Sequence, residues 1–425
     1  MRTKASLLSY AVFVVAVSGS CQGEDGVFPH KMPESKPDIE MSSAMERMFR
    51  YPAPRAQDNE LFSQFKYTPL EGFDYNGGDG TISRRDPSRP ILVDGKYYVW
   101  YTRRHTPVPP IGSAHANEAT DVIPSTDWDL CEIWYATSQD GFTWEEQGIA
   151  VPRPAKPIPG WRSVATPDIL VWKGKYYLYY QAFVEASGLK GDWCPVSASY
   201  ANSPDGPWTS TNKTIIHTGK KGDWDQDAIH DPHPVVYKGK IYTYYKAAYN
   251  KWPDIRDKYA VAHGLAIADD PLGPFLKHSL NPVLNSGHET TYFPFKEGIA
   301  TLAIKDGNER CTIQYAKDGV NFEIASVVEL TPIAAAPFAP DAFTNSGNGR
   351  GITWGLCHFT NAGTRDKQHS IMARFDCDLS LDVDDPTFKN TGVWHRPEVY
   401  FKQGLNKKQR ARINADNRKA LGTPP

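Results

Sequence analysis

Five acidic residues recur at matching places along the chain. They are Asp86 in Arg85-Asp86-Pro87, Asp168 in Pro167-Asp168-Ile169, Asp231 in His230-Asp231-Pro232, Glu289 in Gly287-His288-Glu289 and Asp341 in Pro340-Asp341-Ala342. Each stands just before a β-rich run, and neighbours lie about 50 to 80 residues apart, a blade-sized period with insertions. One Asp before a strand is a turn residue. Five at equivalent repeats bring carboxylates together at one end of a common axis, where crowding and burial push some proton affinities apart. Carboxyls in unlike environments let an acid and a base coexist at one pH, and two facing carboxylates fit hydrolysis of a glycosidic bond. His288 adds a group that donates protons near neutrality. Adjacent strand residues face opposite sides, so His288 and Glu289 reach one pocket only at a strand start or a bulge. A cation site is the competing chemistry, with Asp231, His230, His233 and Glu289 as oxygen and nitrogen ligands. The expectation is no cofactor, with any divalent cation near the pocket non-catalytic.

The elements that must position these groups repeat as well. An aromatic strand follows a Gly-Lys turn three times: Ile91 to Tyr101 around Gly95, Ile169 to Tyr180 around Gly174, and Val235 to Tyr245 around Gly239. A fainter copy runs from Phe293 through Gly298 to Ala303. Each is two β runs joined at a Gly turn, a hairpin. A second element follows, with a Tyr-Ala or Ala strand, an acidic Gly or Pro turn and an aromatic, as in Tyr135 to Trp144, Tyr200 to Trp208, Ala268 to Phe275 and Tyr315 to Phe322. Two hairpins make a four-stranded blade, and five blade starts predict an all-β, five-bladed β-propeller. The segment Arg103 to Trp128 is a long Pro- and Gly-containing insertion, and long loops in compact folds are often functional.

A net charge of −2 removes the electrostatic case for nucleic acid. The 12 Trp and 22 Tyr suit both a β-rich core and a carbohydrate surface. Residues 1–21 read as an export signal, with Arg2 and Lys4 before an apolar run too short to span a bilayer. Cys21 is a candidate lipid anchor, placing the protein in the periplasm or on the outer membrane. The remaining cysteines (Cys131, Cys194, Cys311, Cys357 and Cys377) are odd in number and widely spaced, no disulfide framework. Residues 22–40 read as a linker. Residues 41–80 read as a helical segment, with a Ser43–Glu46 capping box and Met41, Met45, Met48 and Phe49 on one face. Such a short helix must dock, on its own domain or on a partner. Residues 81–400 are the propeller, and 401–425 are a basic tail.

These motifs resemble glycoside hydrolase family 117, the 3,6-anhydro-α-L-galactosidases that act on neoagaro-oligosaccharides, over about residues 40 to 400. The likeness is carried by Ser42-x-Ala44-x-x-Arg47, Arg84-Arg85-Asp86-Pro87-Ser88, His230-Asp231-Pro232-His233-Pro234 and Gly287-His288-Glu289-Thr290. The resemblance implies Asp86 as general base for an inverting attack by water and His288 as proton donor. It implies that Asp231 and Glu289 hold anhydrosugar hydroxyls, that Thr166, Asp168 and Gln181 contact substrate, and that Trp128 walls the subsite. It further implies a homodimer through a swapped N-terminal helix. The expected partner is a neoagaro-oligosaccharide or related galactan fragment, cleaved at the non-reducing end. Much of the Arg103–Asp127 loop matches none of these motifs. The alternatives are an arabinan- or xylan-type propeller glycosidase and a non-catalytic sugar-binding propeller.

Overall fold

A computed structural model describes residues 26–49, 60–189, 194–250, 259–364 and 366–389. The export signal, Cys21 and the basic tail lie outside the described residues. The fold is all-β and β-propeller-like, with one short α-helix among the described residues.

The hairpins form where the turn chemistry places them. Asp94-Gly95, Lys173-Gly174 and Lys238-Gly239 each have positive φ at both residues, from 49° to 78°. That is the type I′ geometry whose twist matches paired strands. Leu92 accordingly faces Tyr97, Trp172 faces Lys175 and Tyr237 faces Lys240.

The strands build four sheets. The first combines Ile82–Arg85 and Ile91–Val93, both paired with Lys96–His105, followed by Glu132–Ser138 and Glu145–Val151. The second runs Ser163–Trp172, Lys175–Phe183, Val196–Ala201, Thr209–Ile216, and the third His230–Tyr237, Lys240–Asn250, Tyr259–Ala268, Leu276–Lys277. The eight-stranded sheet consists of two runs. Thr291–Lys296 through Glu323–Val327 forms one, and Gly349–Ala362 with His369–Ser380 the other. Only the rungs Phe295–Arg350 and Lys296–Gly349 join them.

Apolar side chains fill the spaces between successive sheets. Trp100 packs with Ile169 and Leu178. Leu170 and Tyr179 pack with Ile241 and Tyr245, and Tyr244 with Tyr292 and Ile299. Phe293 and Leu302 pack with Phe375, and Val99 and Tyr101 pack with Trp354 and Leu356, which returns the last run to the first sheet. Phe343 touches three of these clusters and marks where they converge.

The N-terminal region differs from its expected division. Phe28 is buried against Tyr249 and Pro29 bridges to Asp223, so residues 26–40 pack on the fold. The helix spans Ser43–Met48 and is capped by Ser42, whose hydroxyl oxygen accepts from Met45 N. Ser43 is not the cap; its N–H donates instead to Asn321 Oδ1 at 3.1 Å. Here the helix docks on its own chain. Ser42 Oγ donates to Pro282 O, and Arg47 reaches Glu309, Gln314 and Phe322 O. Lys66–Pro69 is a strand that pairs with His369–Ser380, so the segment 41–80 is only partly helical and helps complete the last sheet.

Candidate active site

Five residues spaced along the chain share one backbone feature. Asp86, Thr166, Asp231, Glu289 and Ala334 have φ of 47°, 51°, 49°, 56° and 50°. This left-handed conformation costs an L-residue roughly 1–2 kcal/mol. The residue before each is tied to a second strand: Arg85 to Thr102, Ala165 to Gln181, His230 to Lys246, His288 to Ile304 and Ile333 to His358. The ladder then slips, between Ala165 and Asp168 and between His230 and His233. A bulge re-aims its side chain; His288 and Glu289 instead lie just before the strand Thr291–Lys296, outside its alternation.

This alignment changes the ring expected from sequence. Thr166, not Asp168, is the second equivalent position, and Ala334, not Asp341, is the fifth. Asp168 lies one pleat further along and its oxygens are engaged. They accept from Arg89 N at 3.0 Å, Arg89 Nη2 at 2.9 Å and Ile169 N at 2.9 Å, with His233 Nδ1 at 3.3 Å. It is a buried structural pair rather than an open sugar acceptor. Asp341 is half-buried and accepts from Arg350 N at 2.7 Å, and burial raises its proton affinity.

Asp86 and Glu289 do meet. Arg85 donates from Nε to Asp86 Oδ2 at 2.8 Å and from Nη2 to Glu289 Oε1 at 3.0 Å. Thr102 and Thr166 hydroxyls also donate to Asp86 Oδ2, at 3.4 and 3.2 Å. His358, fully buried, accepts from Asp86 N at Nδ1, 3.0 Å away. Its Nδ1 also lies 3.3 Å from Asp86 Oδ1, and its Nε2 lies 3.8 Å from Glu289 Oε2. Asp86 Oδ1, Glu289 Oε2 and His358 Nε2 are buried without a hydrogen-bond partner. One ligand atom from each of these three residues lies within 4.8 Å of the others.

Electrostatics set the protonation states. Burial opposes charge on Asp86, but the adjacent Arg85 guanidinium outweighs it and holds the carboxyl far below its usual range. Burial likewise opposes charge on Glu289, where His358, His288 and Arg85 together keep the carboxyl low. Asp231 is also held low, against burial, by Lys246 at 2.7 Å and by His230 and His288. His288 is one-third exposed, and its Nδ1 lies 2.7 Å from Asp306 Oδ2. That hydrogen bond is the main reason the Asp306 carboxyl is lowered.

Trp128 stands over Arg85, with the guanidinium 4.9 Å from its ring, and packs against Ala165, Phe183 and Cys194. Gln181 lies on the rung facing Ala165. The structure thus brings Asp86, Glu289 and Trp128 to the guanidinium of Arg85 and Thr166 to Asp86, with Asp231 and His288 within electrostatic reach of each other.

The expected cation ligands do not assemble. Asp231 is paired with Lys246, and His233 turns to Asp168. Among the described residues, the three that lie close enough to share an ion are instead Asp86, Glu289 and His358, with Arg85 already on one oxygen of each carboxylate.

Sequence reasoning missed Arg85, Thr102, Lys246, Asp306 and His358 as contributors. A His within the apolar run Leu356-Cys357-His358-Phe359 was the one signal available. The others gain meaning only from strand pairing.

No protein-family model and no curated protein matches the chain. Among solved structures, Zg3597, a family 117 glycoside hydrolase produced by the marine bacterium Zobellia galactanivorans, is 78% identical, with a TM-score of 0.77 over 82% of this chain and 100% of that one. A second, described as a glycoside hydrolase, is 13% identical with a TM-score of 0.50, over 74% of this chain and 92% of that one, a likeness of fold alone.

Proposed function

Because the chain belongs to glycoside hydrolase family 117, we propose that it is an exo-acting, inverting hydrolase that releases 3,6-anhydro-L-galactose from the non-reducing end of neoagaro-oligosaccharides. The four sheets are read here as five blades, the eight-stranded sheet counting as two.

The observation that carries the mechanism is the sharing of Arg85 by Asp86 and Glu289. A carboxyl bridged to a buried guanidinium stays ionised, so Glu289 has no proton to give. The acid is then His288, oriented through Nδ1 by Asp306, with its other nitrogen free to protonate the leaving oxygen. Asp86 and Glu289 also lie too close for an inverting acid–base pair, which needs about 6.5–9.5 Å for the intervening water. Asp86 Oδ1, buried without a hydrogen-bond partner and 3.3 Å from His358 Nδ1, is the oxygen that orients the attacking water. An ion-paired carboxylate is a weak base. In an oxocarbenium-like transition state, however, the water needs to lose its proton only late, as the new bond forms. Asp231 and Glu289, both anionic, accept from sugar hydroxyls. Thr166, Gln181 and Trp128 shape the subsite.

A proton NMR time course with neoagarobiose and with even-numbered neoagaro- and carrageenan fragments tests this reading. Release of the anhydrosugar with inverted anomeric configuration is expected. Retention, or release from aryl arabinosides alone, overturns it. The proposal also carries export to the periplasm or outer membrane, and a homodimer in which the helix Ser43–Met48 makes its contacts on a second copy. Fractionation of cells and light scattering on the full chain check these two points.

A further inference from the structure

A second cleft, which the proposed chemistry leaves unused, lies beside the long insertion. Asp121, Glu132, Arg153, Pro154, Lys156 and Trp161 line a volume of about 330 Å³, near the lower end of small-molecule sites. It opens at the same end of the sheets as the carboxylates. Glu132 faces Arg103 on the rung next to Thr102–Ile133, and Thr102 touches Asp86. Trp161 stands two residues before the start of the strand Ser163–Trp172, which carries Thr166.

The cleft is fixed rigidly to the first site. Arg162, next to Trp161, donates from Nε and Nη2 to both oxygens of Asp129 at 2.6 Å and from Nη1 to Thr120 O at 2.6 Å. Ser163 Oγ donates to Trp128 O at 2.8 Å. The insertion that places Trp128 over Arg85 therefore also places Asp121 in the second cleft.

Its polar groups are open to a ligand. Arg153 Nε is buried without a hydrogen-bond partner, and the remaining contact of that guanidinium is a long one, 3.4 Å from Nη1 to Arg162 O. Asp121 is highly exposed and touches cations only loosely, Arg162 at 3.8 Å and Lys156 at 4.0 Å. The Trp161 ring is capped by the exposed Lys156 ammonium at 4.0 Å. The set offers two cations, two carboxylates and an aromatic face. Balanced charge selects against polyanions, and an aromatic ring beside hydroxyl acceptors and donors matches a pyranose, with its apolar C–H face and polar rim.

We propose that this cleft binds a further, uncharged sugar unit of an oligosaccharide chain, beyond the unit cleaved at Asp86. Trp161 stacks on the ring, while Arg153 and Lys156 donate to hydroxyls that Glu132 and Asp121 accept from. The inference rests on the hydrolase reading only for the length dependence of its kinetics.

The test compares the full-length protein with Trp161→Ala and Glu132→Gln, both near the surface, on neoagarobiose and on neoagarohexaose or longer chains. For Trp161→Ala, KM is expected to rise about 3- to 10-fold on the long substrates, as loss of one aromatic contact implies, with kcat/KM on the disaccharide unchanged. Glu132→Gln moves the same way by less. Equal effects on short and long substrates, or none on either, overturn the proposal. Should no fragment be hydrolysed, the hydrolase reading fails separately. Calorimetric titration with neoagarohexaose then decides: binding weakened by Trp161→Ala supports the cleft, and unaltered or absent binding overturns it.

Discussion

Replacing Arg85 by Met tests the central electrostatic argument. Arg85 is the shared cation of Asp86 and Glu289, whose facing atoms lie within 4.8 Å of each other. At an effective dielectric of about 20, two unit charges at that distance repel by about 3.5 kcal/mol, equivalent to about 2.5 units in the proton affinity of one carboxyl. In the native protein both carboxyls are depressed. Their contribution to stability is therefore present above the unfolded carboxyl range near 4 and is lost as pH falls through it. In Arg85→Met, the carboxyl pair takes up one proton, raising a folded-state affinity above its unfolded value. That contribution is full below the unfolded range and is lost as pH rises through the folded one. Thermal unfolding of Arg85→Met should show a loss of about 3–5 kcal/mol at pH 7, the cost of breaking a buried pair. Part of it should return at pH 5, while the native protein gains nothing over that interval. Equal losses at both pH values would refute the shared-cation argument.

His288→Asn should lower kcat by about 10²- to 10⁴-fold on a natural sugar leaving group, the usual weight of a general acid. The deficit should be smaller on a glycosyl fluoride, which leaves without protonation; an equal deficit on both would remove His288 from that role. Asp306→Asn weakens the hydrogen bond that orients His288 through Nδ1, so kcat should fall about 10-fold on a natural leaving group with KM little changed. A rise in KM with kcat unchanged would remove Asp306 from that role. Asp86→Asn should abolish turnover while titration calorimetry still detects the disaccharide, and persistent turnover would sink the base assignment. Ala334→Gly relieves a left-handed alanine at a ring position, and after the entropy cost of glycine it should stabilise by about 0.5 kcal/mol. A clear loss in thermal unfolding would mean the conformation carries no strain.

Local chemistry was legible in the sequence where it depends on neighbours in the chain. The Asp-Gly and Lys-Gly turns demand positive φ, so the hairpins around Gly95, Gly174 and Gly239 follow from residue type alone. The clustering of Asp86 and Glu289 followed from their repeat positions, and His288 from its place beside Glu289. The helix was found, but its cap was misplaced by one residue, because Ser42 and Ser43 are equally able to cap. Tertiary contacts decided between them: Ser42 meets Pro282, and Ser43 meets Asn321.

Only the tertiary structure decided which side chains complete the ring. An acidic residue near a strand start looks equivalent at every repeat, yet backbone pairing decides which residue turns left-handed. A slip in the ladder puts Thr166 in place of Asp168, and a turn before Ala336–Pro337 puts Ala334 in place of Asp341. The fold also brings His358, far along the chain, onto Asp86. The charge state follows the same rule. A carboxylate's proton affinity depends on cations that pairing and packing bring within reach, so His358, His288 and Arg85 hold Glu289 as an anion, a state the bare pair His288-Glu289 left open.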